Sequence, residues 1–97
     1  MSEPTIYRMK GRVVLRRIGE DRLLVPVSGD AARENCVFPV NETGEFIWDC
    51  LAKGQTLVET AAAVAAAFAV TPETARADCL EFAERLLAQR LIEEGNP

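Results

Sequence analysis

The hydrophobic pattern of this chain changes its period once, at Asn41, and this change constrains the fold more than any other feature. Before Asn41 the apolar residues form short β-branched runs, whereas after it they recur every three to four residues, the spacing of a helix face. Two early runs, residues 12–18 and 23–27, flank the turn sequence Gly19-Glu20-Asp21, a pattern typical of a β-hairpin. The sequence therefore predicts strands first and helices second.

A third strand is predicted at residues 36–40, before the first helix. Pro39 favours an edge position for this strand, because proline cannot donate a backbone hydrogen bond to a neighbour. In the second strand of the hairpin, alternation assigns Leu23, Val25 and Val27 to one face. The first strand has a mixed pattern that does not indicate which face is buried.

Two segments lie outside these strands. Residues 1–10 carry no clear pattern, so we expect a mobile N-terminal lead-in. Residues 28–35 are polar and rich in turn-forming residues, which predicts a loop.

Helices are predicted over residues 42–53, 56–68 and 72–89, each with its own start signal. The first follows the capping residue Asn41, the second opens with a Thr-x-x-Glu capping box, and the third has proline at its first position. A short extended segment at residues 91–92 follows the third helix. The apolar positions assigned to the core of the first two helices are Phe46, Ile47, Cys50, Leu51, Leu57, Ala61, Val64, Ala65 and Phe68.

Strands followed by helices in this order predict an α+β fold of the winged helix-turn-helix type. It would have a three-stranded antiparallel sheet followed by three helices, the last two joined by Ala69-Val70. A chain of 97 residues is expected to form one domain. We therefore divide the chain into a flexible N-terminal segment, residues 1–10, and a single domain, residues 11–97.

Composition excludes several classes of protein. With 48% hydrophobic and 27% charged residues the chain is globular, and its net charge of −4 argues against nucleic acid as the main partner. No apolar run reaches the roughly 20 residues that a membrane helix needs. The segment Met1-Ser2-Glu3-Pro4 lacks the basic start and apolar core of a signal peptide, so we expect a cytoplasmic protein.

The sequence offers no catalytic group of residues and no metal or cofactor motif. It contains no histidine, the commonest general base and metal ligand. Its three cysteines, Cys36, Cys50 and Cys79, are far apart and fit neither a disulfide framework nor a zinc site, so we interpret them as reduced packing residues. The adjacent acids Glu93-Glu94 are interpreted as a solvated tail. We expect a protein that is not an enzyme and that binds no cofactor.

Three stretches of the chain carry a family resemblance. Residues 40–44 with Ile47-Trp48 are similar to the motif LNxTG…IW, and residues 54–57 with the following helix are similar to G-x-T-v-x-E-i. Residues 78–92 are similar to D-v-x-x-F-l-x-x-L…G-L-l. With the initial hairpin, these motifs resemble the PqqD-like family, also called RiPP recognition elements, over about residues 11–93. Asn41, Thr43 and Gly44 within the first motif are interpreted as structural, forming a cap and a close approach.

The resemblance implies a non-catalytic module that binds the leader segment of a ribosomally synthesised precursor peptide. Members of the family deliver this leader to a modifying enzyme, often a radical SAM enzyme. The implied binding mode is strand addition, in which the leader pairs with the third strand and packs against the third helix. The peptide-binding residues expected on this basis are Val37, Phe38, Pro39 and Val40 from the strand, and Arg76, Cys79, Leu80, Ala83 and Leu87 from the helix. Ala75, Phe82 and Leu86 compete for the same face of the helix. For the apolar residues of the expected site, core packing therefore remains an alternative to peptide contact.

The chain departs from the family pattern at three points. Arg90 stands where the family usually has glycine, at the exit from the third helix. The Y-P-E-G and G-W sequences of members dedicated to pyrroloquinoline quinone are absent, which indicates a different peptide substrate. The third point is Pro39, which has no backbone N–H. If Val37 and Pro39 form the docking edge, that edge is one hydrogen-bond donor short.

Two other functions stay open at this point. One is a winged-helix DNA-binding regulator, whose recognition helix would be residues 72–89. The acids Glu73, Asp78, Glu81 and Glu84 on that helix would repel phosphate and argue against it. The other is a homo-oligomerising domain, for example a homodimer, that uses the same open strand edge for self-pairing.

Overall fold

The computed structural model of the chain describes residues 6–29 and 37–95. The strands are β1 (Tyr7–Met9), β2 (Val13–Ile18), β3 (Asp21–Pro26), β4 (Phe38–Val40) and β5 (Ile92–Glu94). The helices are α1 (Glu42–Ala52), α2 (Leu57–Phe68) and α3 (Pro72–Ala88).

The main sheet is three-stranded and antiparallel, in the order β2-β3-β4. The predicted hairpin forms between β2 and β3, where Ile18 pairs with Asp21 across a two-residue turn. Gly19 occupies the first turn position with a φ of 62°, a left-handed conformation that glycine adopts without steric cost. Three helices follow this sheet, so the predicted α+β fold class is confirmed.

Strand β4 is shorter than the predicted residues 36–40, and it lies at an edge of the sheet. The edge position is the one that Pro39 indicated. Cys36 and most of the predicted loop, residues 30–35, lie outside the described residues.

Leu23 and Val25 share one face of β3, as the alternation predicts, but this face is not the buried one. Leu24 and Pro26 point into the core, whereas Leu23 and Val25 are only half-buried and Val27 is exposed. Residues 23–25 are all apolar, so alternation alone is compatible with burial of either face of the strand. The side of the sheet on which the helices pack decides which face of β3 is buried.

The prediction of a mobile lead-in over residues 1–10 is wrong for residues 7–9. These residues form β1, which pairs antiparallel with β5 in a separate two-stranded sheet. Tyr7 is buried, and the Lys10 amide donates to the carbonyl of Leu91 at 3.0 Å. A strand of three residues whose partner lies near the other end of the chain leaves no local pattern to detect. The extended segment predicted at residues 91–92 is confirmed in part, since β5 begins at Ile92. Glu93 and Glu94 are exposed, but they belong to β5 and do not form the expected tail.

The predicted helix starts are confirmed by their caps. The Asn41 side chain accepts a hydrogen bond from the Gly44 amide at 2.7 Å. At the start of α2, the Glu59 amide donates to the Thr56 hydroxyl at 3.0 Å, while the Thr56 amide donates to the Glu59 carboxylate at 2.9 Å. Thr71 caps α3, with Pro72 in its first turn. Each cap satisfies an amide that the helix itself leaves unpaired.

Both later helices end on a non-glycine residue in the left-handed region. Ala69 after α2 has a φ of 54°, and Arg90 after α3 has a φ of 62°. The Arg90 amide donates to the Leu87 carbonyl and the Leu91 amide donates to the Leu86 carbonyl, the pattern of a Schellman cap. Glycine suits this position best, which explains why the family usually has glycine where this chain has Arg90.

The core lies where the three helices meet the inner faces of β3, β4 and β5. It includes the predicted positions Ile47, Cys50, Leu51, Ala61 and Val64, with Phe46, Leu57, Ala65 and Phe68 packed at its margin. Its further members include Leu24, Phe38, Cys79, Phe82, Leu86, Leu91 and Ile92. The C-terminal residues Leu91 and Ile92 thus reach the core because the cap at Arg90 turns the chain back.

An ion-pair cluster joins α1 to the hairpin. The Glu45 carboxylate accepts hydrogen bonds from Arg17 of β2 at 2.5 Å and from Arg22 of β3 at 2.6 Å. The hydrogen bond from Arg17 is the main cause that lowers the pKa of Glu45, and the bond from Arg22 and both positive charges lower it further. Burial acts in the opposite direction and raises this pKa.

The free energy of unfolding should therefore decrease in acid partly through Glu45. A carboxylate whose pKa is lower in the folded state stabilises the fold above its ordinary pKa, and this contribution is lost as the pH falls through the lowered value. Urea unfolding of the wild type and of Glu45→Gln should give curves that converge as the pH falls below the ordinary range for glutamate. Glu42→Gln, on the exposed start of the same helix, is the control. A constant difference between wild type and Glu45→Gln from neutral pH into acid would contradict this assignment.

Candidate functional site

A cleft of about 450 Å³ lies between strand β4 and helix α3, and we name it the β4–α3 cleft. It is lined by Pro39, Val40, Asn41, Thr43, Gly44, Ile47, Asp78, Glu81, Phe82 and Arg85. One wall is therefore a strand edge with the start of α1, and the other is a single stripe along α3.

The register of the sheet shows which backbone groups of β4 face the open edge. The Val27 amide donates to the Arg12 carbonyl at 2.8 Å, so this opposed pair is hydrogen-bonded. Bonded and non-bonded pairs alternate along an antiparallel ladder, which directs the backbone groups of Leu24 toward β4. Leu24 pairs with Phe38, so Phe38 bonds to β3 and its neighbour Pro39 does not.

The backbone of Pro39 consequently points away from β3, toward the open edge. Val37 precedes β4, and continuing the same alternation by one residue predicts that its amide and carbonyl point there as well. Among the described strands, β4 pairs only with β3. The edge thus offers the carbonyl of Pro39, and we expect the amide and carbonyl of Val37 beside it. Proline costs the sheet no hydrogen bond at this position, which is the physical reason that the strand tolerates it.

Phe38 lies beside one end of the cleft, where it contacts the lining residues Phe82 and Arg85 without itself lining the cleft. Its ring is buried and meets the ring of Phe82 edge to face, with 5.8 Å between the centroids. The guanidinium of Arg85 lies over the Phe38 ring, 5.0 Å from its centroid. These contacts hold β4 against α3, and the cation–π contact places a positive charge at this end of the cleft.

Gly44 allows α1 to begin close to α3. A Cβ atom at this position would lie 3.1 Å from Phe82 Cε1 and 3.2 Å from both Asn41 Oδ1 and Val40 Cβ. Any side chain here would push against the Asn41 cap and the phenyl ring together. The structural interpretation of Asn41 and Gly44 therefore agrees with the geometry.

The α3 wall carries two exposed carboxylates, Asp78 and Glu81, beside the buried ring of Phe82. Neither carboxylate forms an ion pair with any residue in ranges 6–29 and 37–95. Their spacing of three residues makes them neighbours on the helix surface, where like charges destabilise each other.

The strand residues expected to bind peptide lie together in or beside the cleft. The helix residues expected to bind peptide do not line it, and they are split between the core and another face of α3. Pro39 and Val40 line the cleft, Phe38 lies buried at its end, and Val37 is exposed beside it. Cys79 and Ala83 are fully buried in the core. Arg76, Leu80 and Leu87 do not line the cleft.

At about 100° per residue, Arg76, Leu80 and Leu87 lie on the opposite flank of α3 from the cleft. Arg76 instead borders a groove against α2, together with Val58 and Ala62. From α3, the residues that line the cleft are Asp78, Glu81, Phe82 and Arg85. Of these, only Phe82 was considered for the peptide site from the sequence, as a competitor for the same face of the helix. Asp78 and Glu81 were considered only as acids that would repel phosphate.

The two described cysteines are unsuited to nucleophilic chemistry. Burial, with smaller contributions from the nearby Asp78 and Cys50, raises the pKa of the Cys79 thiol to about 11. Burial likewise raises the pKa of Cys50. Both thiols are therefore protonated at neutral pH, and a thiol is a poor nucleophile compared with a thiolate. Within residues 6–29 and 37–95, no three His, Cys, Asp or Glu side chains are placed to hold a metal ion.

A family model described as coenzyme PQQ synthesis protein D (PqqD) matches residues 24–92. The chain belongs to the PqqD family. The matched segment begins in β3 and ends in β5, so it includes both walls of the β4–α3 cleft. The family resemblance carried by the three sequence motifs is thereby confirmed.

A solved structure, described as TbiB1 in complex with the TbiA(beta) leader peptide, shares the fold of this PqqD domain. The TM-score is 0.73 at 22% sequence identity, and the alignment covers 93% of this chain and 99% of that one. No curated protein matches the chain. In the part of the chain that the structure describes, no helix has the length and apolar character needed to cross a membrane.

Proposed function

We propose that this PqqD domain binds the leader segment of a ribosomally synthesised precursor peptide and presents it to a modifying enzyme. The leader adds as a strand to the open edge of β4 and lays alternate side chains into the β4–α3 cleft. The domain itself performs no chemistry. Its partner enzyme belongs to the peptide-modifying class, with a radical SAM enzyme as the first candidate.

The observation that carries this proposal is the open edge of β4 directly beside a cleft. A free edge supplies backbone hydrogen bonds to any extended peptide, and an adjoining pocket adds selectivity for its side chains. The edge groups of Val37 and Pro39 provide the first element, and the stripe on α3 provides the second.

The comparisons support a peptide ligand. TbiB1 was solved with a leader peptide, and its fold covers nearly the whole of this chain. The chain lacks the Y-P-E-G and G-W sequences that members dedicated to pyrroloquinoline quinone carry, so we infer a different precursor. Neither comparison supports the DNA-binding alternative.

Two features favour binding over the alternatives. The chain contains no histidine, and burial raises the pKa of Cys50 and Cys79, so neither the commonest general base nor an activated thiolate is found within residues 6–29 and 37–95. Pro39 disfavours homodimer formation through β4, because each copy would bring an edge with a missing donor.

The proposal is tested by titrating isotope-labelled protein with a synthetic leader from a short precursor encoded beside its gene. Amide chemical-shift changes should concentrate at Val37, Val40, Gly44 and Phe82, around the cleft. The groove against α2, bordered by Ala62, is the internal reference and should not respond.

A second titration uses a mixed-sequence DNA duplex at about 150 mM salt, where exposed charges more than about 8 Å apart are screened. We expect no shifts with DNA, because the net charge is −4 and α3 is acidic. The proposed function is wrong if DNA binds with sub-micromolar affinity. It is also wrong if no precursor is encoded nearby, or if its leader leaves the cleft amides unchanged.

A further inference from the structure

The β4–α3 cleft carries positive charge at one end and negative charge toward the other. Arg85 lies over Phe38 at one end. Phe82 contacts Phe38 and also approaches Gly44, one helical turn further toward the N-terminus of α3. Asp78 lies one more turn in the same direction, so the negative charge lies at the end of the cleft away from Arg85, in the cleft that Val40 and the start of α1 also line.

The carboxylates of Asp78 and Glu81 have no cationic partner among the described residues, although Arg85 follows one turn after Glu81 on the same stripe. Two like charges three residues apart on a helix repel each other, and a cation placed between them would relieve that repulsion. A partly enclosed cleft also strengthens such an interaction relative to bulk water.

An added strand would direct its side chains into this charged cleft in a defined register. Residues of a strand alternate between faces, and cross-strand neighbours share a face. Phe38 is buried and Val40 half-buried on the cleft side of β4, so the leader residues beside them point the same way. These two leader residues are separated by one position, about 7 Å along the strand.

We propose that the leader recognised by this cleft carries a basic residue beside Val40, whose side chain lies between Asp78 and Glu81. Two positions away, beside Phe38, it carries an apolar or acidic residue, because Arg85 repels a second cation there. This inference rests on the proposed function and specifies its substrate class. The motif is therefore a basic residue and a non-basic residue at positions two apart.

The inference is tested by selecting peptides of about ten residues, the upper length of an ordinary strand, from a randomised displayed library. Immobilised wild-type protein should enrich lysine or arginine at one position, with a non-basic residue two positions away. Asp78→Asn combined with Glu81→Gln should lose this enrichment and bind the selected peptides about fivefold to tenfold more weakly. Added salt should reduce that difference, since the contact is partly exposed.

Glu73→Gln combined with Glu84→Gln is the matched control. It removes the same charge from the same helix at positions outside the cleft, and it should bind the selected peptides as the wild type does. Circular dichroism establishes that both double variants are folded before binding is compared.

The outcomes separate the two proposals. Enriched peptides that shift the β4 amides but carry no preferred basic residue overturn the charge inference and leave strand addition standing. The same holds if both double variants weaken binding equally, which would indicate a general effect of net charge. If no peptide that shifts the β4 amides is enriched, the proposed function and this inference both fail.

Discussion

Leu86→Ala should lower the free energy of unfolding by about 2–5 kcal/mol, the range for removing a buried leucine side chain from a packed core. Leu86 is 0% exposed and lies on the inner face of α3. Its carbonyl also accepts the Leu91 amide in the helix cap, so the side chain packs where the chain turns into β5. Such a loss would remove a large part of the stability of a domain of this size. Urea unfolding followed by circular dichroism measures it.

Leu80→Ala is the matched control on the same helix. Leu80 is 45% exposed and lies outside the β4–α3 cleft, so this change should shift stability by no more than about 0.5 kcal/mol. It should also leave peptide affinity unchanged, since Leu80 lies on the opposite flank of α3. Equal unfolding midpoints for the two alanine variants would contradict the packing of α3 described above.

Val37→Pro should weaken binding of the leader peptide about tenfold or more. Val37 carries the remaining amide donor of the open edge, because Pro39 has none. The lost hydrogen bond accounts for about 0.5–1.5 kcal/mol, and a leader carbonyl left without a partner adds about 1–3 kcal/mol. Val37 is 54% exposed, so the change should act mainly on the backbone. Isothermal titration calorimetry with the leader peptide measures the difference.

Two further variants test whether the change in affinity comes from the backbone donors of the edge. Val37→Thr keeps the amide and nearly the same side-chain shape, so it should bind much as the wild type does. Pro39→Ala supplies the missing donor at the same edge, and it should tighten binding by about twofold to tenfold. If folded Val37→Pro retains wild-type affinity and Pro39→Ala gains none, the leader does not add to β4.

Local signals along the chain predicted the helices and the hairpin. The caps at Asn41, Thr56 and Thr71 involve residues three apart, and the hairpin turn at Gly19 is equally local. Such interactions form between residues that are close in sequence, so the pattern of residue types is enough to indicate them. Pro39 indicated an edge strand in the same way, through a donor that it lacks.

The packing of these elements against one another was harder to predict. Both faces of β3 carry apolar residues. Leu24 is buried and Leu23 is not, because the helices pack on the face that Leu24 occupies. Among the described strands, β1 pairs only with β5, a partner about 85 residues away. No local pattern specifies either pairing.

The candidate site shows the same division between what the residues specify alone and what packing adds. The sequence by itself determined the order of the hairpin, β4 and the three helices, together with their caps, the edge position of β4 and the family. Each of these depends on neighbouring residues or short motifs, whereas β1 does not. The tertiary structure alone decided which flank of α3 faces β4, placing Asp78, Glu81 and Arg85 in the cleft and Arg76 outside it. Each flank beside the buried stripe of α3 carries charged residues, and the flank away from the cleft also carries Leu80 and Leu87. Periodicity therefore identifies the stripe but not the side that meets the sheet. That choice follows from how α3 packs against Phe38 and the start of α1, contacts between residues that are distant in sequence.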